Sequence, residues 1–221
     1  MPNERALAII GGTGKEGSAL AARFAKAGVR VLIGSRDPAK AHKVAAELNA
    51  RSGAANIEGY ANREAAARAD IVLLSVPYDG MSPILEDLRS AVQGKIVINI
   101  ASSLDPQRKS RAKVPAAGSV TAEVQAFFGD RTKVVAAFQN ISPEKLESVE
   151  EKIDSDVLVC GGDQEARAVV IDVIRRIGVD AFDAGVLANA VAVEALTAVL
   201  IAVNIKYKVK GAGIRLVGVP R

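Results

Sequence analysis

The 221-residue chain has one cysteine, one histidine and no tryptophan, and aromatic residues make up only 4% of it. A lone cysteine, Cys160, can close no internal disulfide, which fits a reducing compartment. It ends the apolar segment Asp156–Cys160, where a small buried residue is expected rather than a nucleophile. With His42 the only histidine, no metal-ligand set, Ser–His–Asp set or Cys–His pair can be assembled. His42 lies in a polar helical stretch and is expected to face solvent. The net charge is only +4, and the basic residues form no dense stripe interleaved with aromatics, so the footprint of nucleic-acid binding is missing. Internal repeats and low-complexity linkers are lacking too. The chain enters an apolar strand almost at once, so no signal peptide is expected and a cytoplasmic location is. One apolar stretch, Val186 to Val203, approaches membrane-spanning length. Asn189 and Glu194 interrupt it, and a carboxylate at mid-membrane is costly. A helix buried at a subunit or domain interface is expected instead.

What is present begins at Ala6-Leu7-Ala8-Ile9-Ile10, a buried-strand pattern, followed by Gly11-Gly12-Thr13-Gly14-Lys15-Glu16-Gly17 and then a helical run from Ser18. Strand, G-x-G-x-x-G, helix is the context that marks a dinucleotide site. Gly12 serves the tight turn, Gly14 the close approach of backbone to a pyrophosphate, and Gly17 the packing of helix on strand. The helix N-terminus offers free N–H groups and a positive dipole end to the phosphates.

The next strand, Arg30–Gly34, ends in Ser35-Arg36, with Lys40 one turn into the following helix. An acidic residue at this point would hold a free ribose 2′-OH. Here a hydroxyl, a guanidinium and an ammonium stand instead, and Thr13 adds a second hydroxyl. That set attracts a 2′-phosphate, so NADP(H) is expected rather than NAD(H).

The alternation of apolar strands and helices continues to about Gly185. Nearly half the residues are apolar, enough for a substantial core. The expected class is α/β, a doubly wound Rossmann fold with a mostly parallel sheet. Residues 1–184 are expected to form the NADP-binding domain and 185–221 a small C-terminal helical domain, with one long helix reaching about Tyr207. Ligands of such sheets bind at the carboxyl ends of the strands. Four turns are therefore singled out: 11–17, 35–40, Ser75-Val76-Pro77-Tyr78 and Phe138-Gln139-Asn140-Ile141. Val76 and Pro77 would wall the cofactor. No side chain is marked by spacing as a catalytic acid or base. Direct hydride exchange between two organic cofactors needs none, because the protein supplies orientation.

The Gly11–Gly14 loop, Gly34-Ser35-Arg36 with Lys40, Val134–Phe138, Val193-Glu194-Ala195-Leu196-Thr197 and the tail Asn204 through Ile214 together resemble the F420H2:NADP oxidoreductase family over essentially the whole chain. The resemblance implies a homodimer and hydride transfer between nicotinamide C4 and C5 of the deazaflavin coenzyme F420. Thr13, Ser35, Arg36 and Lys40 would hold the 2′-phosphate, with Gly12, Gly14, Lys15, Glu16, Gly17, Val76, Pro77 and Ala137 completing the NADP(H) site. The deazaflavin would lie near Gln139, Asn140, Ile141, Thr197 and Ala212. Gln139 stands where the family often has His, and Val191 where it often has a basic or polar residue. An NADPH-dependent reductase of an imine, flavin or ferric chelate, or a non-catalytic NADP(H) sensor, is the alternative on the same scaffold.

Overall fold

The apolar runs become the strands of one sheet in a computed structural model that describes residues 5–221. In chain order the strands are β1 (Leu7–Ile10), β2 (Val31–Ser35), β3 (Ile57–Ala61), β4 (Ile71–Leu74), β5 (Ile96–Asn99), β6 (Lys133–Ala136), β7 (Val157–Gly161) and β8 (Ala181–Asp183). The helices are α1 (Lys15–Lys26), α2 (Pro38–Ser52), α3 (Asn62–Arg68), α4 (Met81–Leu88), α5 (Val120–Phe128), α6 (Pro143–Glu147), α7 (Gln164–Arg175) and α8 (Ala190–Tyr207). The strand order is β3-β2-β1-β4-β5-β6-β7-β8. Neighbouring strands from β3 to β6 pair parallel, and β7 joins β6 antiparallel. The chain reverses its direction of winding between β1 and β4, which opens a crevice at their carboxyl ends.

Both faces of the sheet are covered, and the two-residue period of a strand explains how. Leu7 and Ile9 point into a core with Phe24, Ile33, Ile98 and Val135. Ala8 and Ile10 point into the opposite core with Leu32, Val72, Leu74 and Leu88. Because each face is buried, the strands show no polar alternation. Local signals set the helix ends. The Asp37 carboxylate accepts from the N–H groups of Ala39 (3.0 Å) and Lys40 (3.3 Å), Pro38 fills the first helical position, and Gly53 closes α2 in the left-handed conformation.

Two features depart from a plain alternation. Strand β6 goes no further than Ala136, and Phe138 just beyond it adopts φ +73°. The antiparallel β7 then needs no crossover, so the whole connection 137–156 stays at the ligand-bearing edge. It contains α6, five residues long and too short to register as a hydrophobic period. The apolar helix α8 packs on β7 and α5. Its Ala190 and Val193 join Ala136 and Cys160 in a small third cluster. Burial pushes the Cys160 thiol up to about 11, which leaves it an inert protonated group.

Candidate functional site

The glycine loop separates what the fold requires from what a ligand requires. Gly11 has φ +77°, and a Cβ there would stand 2.4 Å from the Ser75 carbonyl oxygen. At Gly12 a Cβ would meet the Ile9 carbonyl oxygen at 2.7 Å, and at Gly17 the Gly11 carbonyl oxygen at 2.8 Å. These three positions exclude side chains on steric grounds. Gly14 is different: its nearest neighbour would be the Gly11 carbonyl oxygen at 3.3 Å, and the residue borders open space. Gly14 is also the N-cap of α1, and no side chain caps that helix. The uncapped N–H groups of the first turn are therefore free to bind an anion. The Gly14→Ala protein should fold with a melting temperature close to wild type yet bind NADPH at least tenfold more weakly. Thermal melting and an NADPH fluorescence titration check the two halves of that expectation.

The second turn presents unpaired cations. Arg36 and Lys40 are exposed and have no ion-pair partner among the described residues. Ser35 is buried, and its Oγ accepts from the Asp37 N–H at 3.2 Å, leaving the hydroxyl proton free to donate outward. The one nearby carboxylate, Asp37, is turned onto the N-terminus of α2.

Beside these turns a cavity of about 550 Å³ opens at the carboxyl ends of the strands. Gly14, Lys15 and Glu16 line one side, Val76 and Pro77 another, and Gln139, Ile141 and Thr197 the far end. Gly12, Thr13, Gly17, Ser35, Arg36 and Lys40 are not among its lining residues; they belong to the glycine loop and the second turn. Three expected residues also lie away from it. Ala137 is fully buried. Asn140 turns inward and donates to the Asp156 carbonyl at 2.5 Å. Ala212 donates its N–H to Asn204 Oδ1 (2.8 Å) beyond the end of α8. The cavity also includes Ser75 and Tyr78, from the third of the four singled-out turns, together with Ser102, Leu104 and Lys109. The last three follow β5. The rule that ligands bind at carboxyl strand ends reaches that turn as well, so a fifth turn at 100–109 was open to inference.

The far end is held by a chain of hydrogen bonds that ties α8 to the sheet. Gln139 Nε2 donates to the Asn99 carbonyl (2.8 Å), and Thr197 Oγ1 donates to the Gln139 carbonyl (2.8 Å). Ser102 Oγ lies 2.8 Å from Thr197 Oγ1. Asn99 Nδ2 donates to Thr121 Oγ1, which in turn donates to Glu194 (2.7 Å). The Glu194 carboxylate also accepts from the N–H groups of Val120 and Thr121, both at 2.8 Å, and so caps α5. Its pKa lies above the usual carboxylate range, because burial outweighs those three bonds. Glu194 is thus an internal cap; the interface it faces is the one between α8 and α5.

The backbone leading into Gln139 is strained. Phe138 holds its left-handed conformation while fully buried, with its ring edge-on to Phe24 at 6.4 Å. Gln139 is 6% exposed, and its Oε1 has no partner among the described residues. An acceptor left unpaired at this depth is costly unless a bound molecule donates to it. The wall formed by α6 is anchored by Arg23. Its guanidinium donates to the carbonyls of Lys145 and Leu146, each at 2.8 Å.

Tyr78 and Glu16, which both line the cavity, have their pKa values pushed up for different reasons. Tyr78 donates its hydroxyl to Glu123 at 2.8 Å, and this bond is the main reason its pKa is pushed up to about 12. Glu16 is half-buried on the first turn of α1. Loss of solvent, with Glu144 adding like charge, pushes its carboxyl up to about 7. Below that pH it is neutral; above it a carboxylate faces the region where phosphates would bind. NADPH affinity is therefore expected to fall as pH rises through 7. The Glu16→Gln protein should bind about threefold to tenfold more tightly than wild type at pH 8 and equally at pH 6, since one charge at this range contributes on the order of 1 kcal/mol. Because the folded pKa exceeds the unfolded one, Glu16 also lowers stability progressively between about pH 4.5 and 7. Glu16→Gln should accordingly melt above wild type at pH 8 but not at pH 4.

A family model described as NADP oxidoreductase coenzyme F420-dependent matches residues 6–103. The F420-dependent NADP reductase of Methanocaldococcus jannaschii is 42% identical over 218 residues, covering 95% of this chain and 97% of that protein. The chain belongs to the F420-dependent NADP reductase family. The enzyme of that name from Methanothermobacter thermautotrophicus is 38% identical over 97% of this chain and 95% of its own length. A crystal structure from Arthrobacter sp. FB24, assigned by name to F420-dependent NADP-reductases, superimposes with a TM-score of 0.82 at 22% identity. It covers 97% of this chain and 99% of that one, and it shows the shared fold. The reductase fold is therefore common to the full length of the chain. The family model stops at residue 103, four residues past the end of β5, so the wall contributed by 137–156 and α8 falls outside it.

Proposed function

We propose that the protein transfers hydride directly between NADP(H) and coenzyme F420. In the reducing direction NADPH, oxidised F420 and one proton from solution give NADP+ and reduced F420. The observation that carries this is the cavity at the winding reversal, which faces the uncapped N-terminus of α1 across from the Gln139–Thr197 end. The residues fit both partners. Gly14 leaves room for backbone to approach a pyrophosphate, Arg36 and Lys40 offer free cations to a 2′-phosphate, and Gln139 Oε1 offers an unpaired acceptor to a ring N–H.

When bound, the two coenzymes supply the hydride-donating and hydride-accepting carbons. The chain's residues do the rest. Val76 and Pro77 form a rigid wall, Thr197 fixes the backbone of Gln139, and Ile141 and Ile201 exclude water from the far end. Amide, hydroxyl and aliphatic groups make up that end, while Tyr78 is committed to Glu123 and Glu16 sits at the opposite side. This supports transfer without a side-chain acid. Mixing the protein with NADPH and oxidised F420 should bleach the deazaflavin absorbance. Bleaching at a rate proportional to enzyme supports the reading, and none at micromolar enzyme overturns it.

We further propose that residues 185–221 act as a separate unit on the acceptor side and carry a homodimer contact. The helix Leu187–Tyr207 is long and apolar enough to cross a membrane, yet Glu194 at its middle caps α5. Val191, Val199 and Ile205 remain exposed on it, an apolar face that a second copy would cover. A soluble cytoplasmic dimer accommodates both facts, and light scattering of the purified protein tests it.

A further inference from the structure

The segment that follows β5 folds back on itself beside the cavity. Leu104 bridges Ala112, the Asp105 N–H donates to the Arg111 carbonyl (3.0 Å), and the Lys113 N–H donates to the Ser103 carbonyl (3.2 Å). Its tip is closed by Arg108 N–H to the Asp105 carbonyl (3.2 Å) and Arg111 N–H to the Arg108 carbonyl (2.8 Å). Within six residues this hairpin carries Arg108, Lys109, Arg111 and Lys113. All four are exposed, and none of their side chains has a hydrogen-bond or ion-pair partner among the described residues. Several other surface cations are paired, as in Arg30–Glu58, Arg68–Glu64 and Arg89–Glu86. The hairpin's one carboxylate, Asp105, is engaged by the backbone N–H groups of Gln107 (2.8 Å) and Arg108 (3.1 Å). Asp79, on the 3-10 turn before α4, is the other carboxylate at this rim. The inner edge of the hairpin, including Leu104, Asp105 and Lys109, lines the cavity itself.

We infer that this hairpin binds the anionic tail of the deazaflavin coenzyme, its phosphodiester and carboxylates, and so sets acceptor preference by charge. The inference rests on the hydride-transfer reading above. A cavity of about 550 Å³ suits the reacting rings but not two whole coenzymes, so the remainder of the acceptor must leave across the rim. Lys109 stands where the tail emerges, and the other three cations extend the path outward. Preformed, unpaired charges of one sign raise the local concentration of an oppositely charged ligand, and salt screens the effect.

The test compares F420 with a 5-deazaflavin carrying only the ribityl chain, at low and at physiological ionic strength. For wild type, the KM for F420 should be at least tenfold below that of the tail-less compound and should rise with salt. The double variant Arg108→Glu/Arg111→Glu should raise the F420 KM at least tenfold and nearly close that gap. Arg108→Ala/Arg111→Ala should move it less, in the same direction. Thermal melting separates a charge effect from misfolding. Equal KM values for the two deazaflavins in wild type, or an F420 KM unmoved in both folded variants, overturn the inference while leaving the hydride-transfer reading intact. Turnover of neither deazaflavin overturns both.

Discussion

Replacing Arg36 by Asp is expected to raise the KM for NADPH by roughly 100-fold while changing that for NADH by no more than a few fold. The guanidinium is exposed, unpaired and one residue past the end of β2, where the chain turns outward beside the glycine loop. A charge-assisted bond to a phosphate contributes about 1.5–3 kcal/mol, and the introduced carboxylate adds repulsion. At about 1.4 kcal/mol per factor of ten, the sum reaches two orders of magnitude. NADH has a hydroxyl in place of the phosphate, and the new carboxylate can accept from it. Steady-state kinetics with both nucleotides decide the matter. Equal losses would show that Arg36 acts on something the two nucleotides share, and the 2′-phosphate assignment would fall.

The second large effect is on stability. Glu194→Leu is expected to cost about 3–5 kcal/mol, because two first-turn N–H groups of α5 and the Thr121 hydroxyl lose a buried acceptor together. For a chain of this size that corresponds to a melting temperature lower by about 10 °C or more. Glu194→Gln keeps an acceptor oxygen and should lose less than half as much. A Leu variant as stable as wild type would mean that the buried carboxyl is a net burden that packing can replace. The consequences should extend to the acceptor side. Thr121 also accepts from Asn99, whose carbonyl holds Gln139, so disturbing the cap loosens the far end of the cavity. The KM for the acceptor should therefore rise more than the KM for NADPH.

Much of this protein is written locally. The apolar strands, the glycine spacing, and Asp37-Pro38 opening α2 are each decided within a dozen residues, because backbone sterics, caps and two-sided burial act at short range. The expectation of a 2′-phosphate is local as well, since it rests on Ser35, Arg36 and Lys40 standing on one turn. Family membership is legible for a related reason: its motifs run from the glycine loop to the Val193–Thr197 segment. What stayed hidden depends on contacts across the chain. Glu194 reads as an interruption in an apolar helix until Val120 and Thr121, more than seventy positions earlier, are brought against it. Gly11 has no place in the fingerprint spacing, yet the Ser75 carbonyl leaves no room for a side chain there. The antiparallel β7 keeps 137–156 at the ligand edge, and only that topology lets Arg23 anchor one wall of the cavity and α8 another. Local patterning thus determined the cofactor and the sheet. Tertiary structure decided the acceptor side, because its residues come from distant segments joined by hydrogen bonds that no periodicity records.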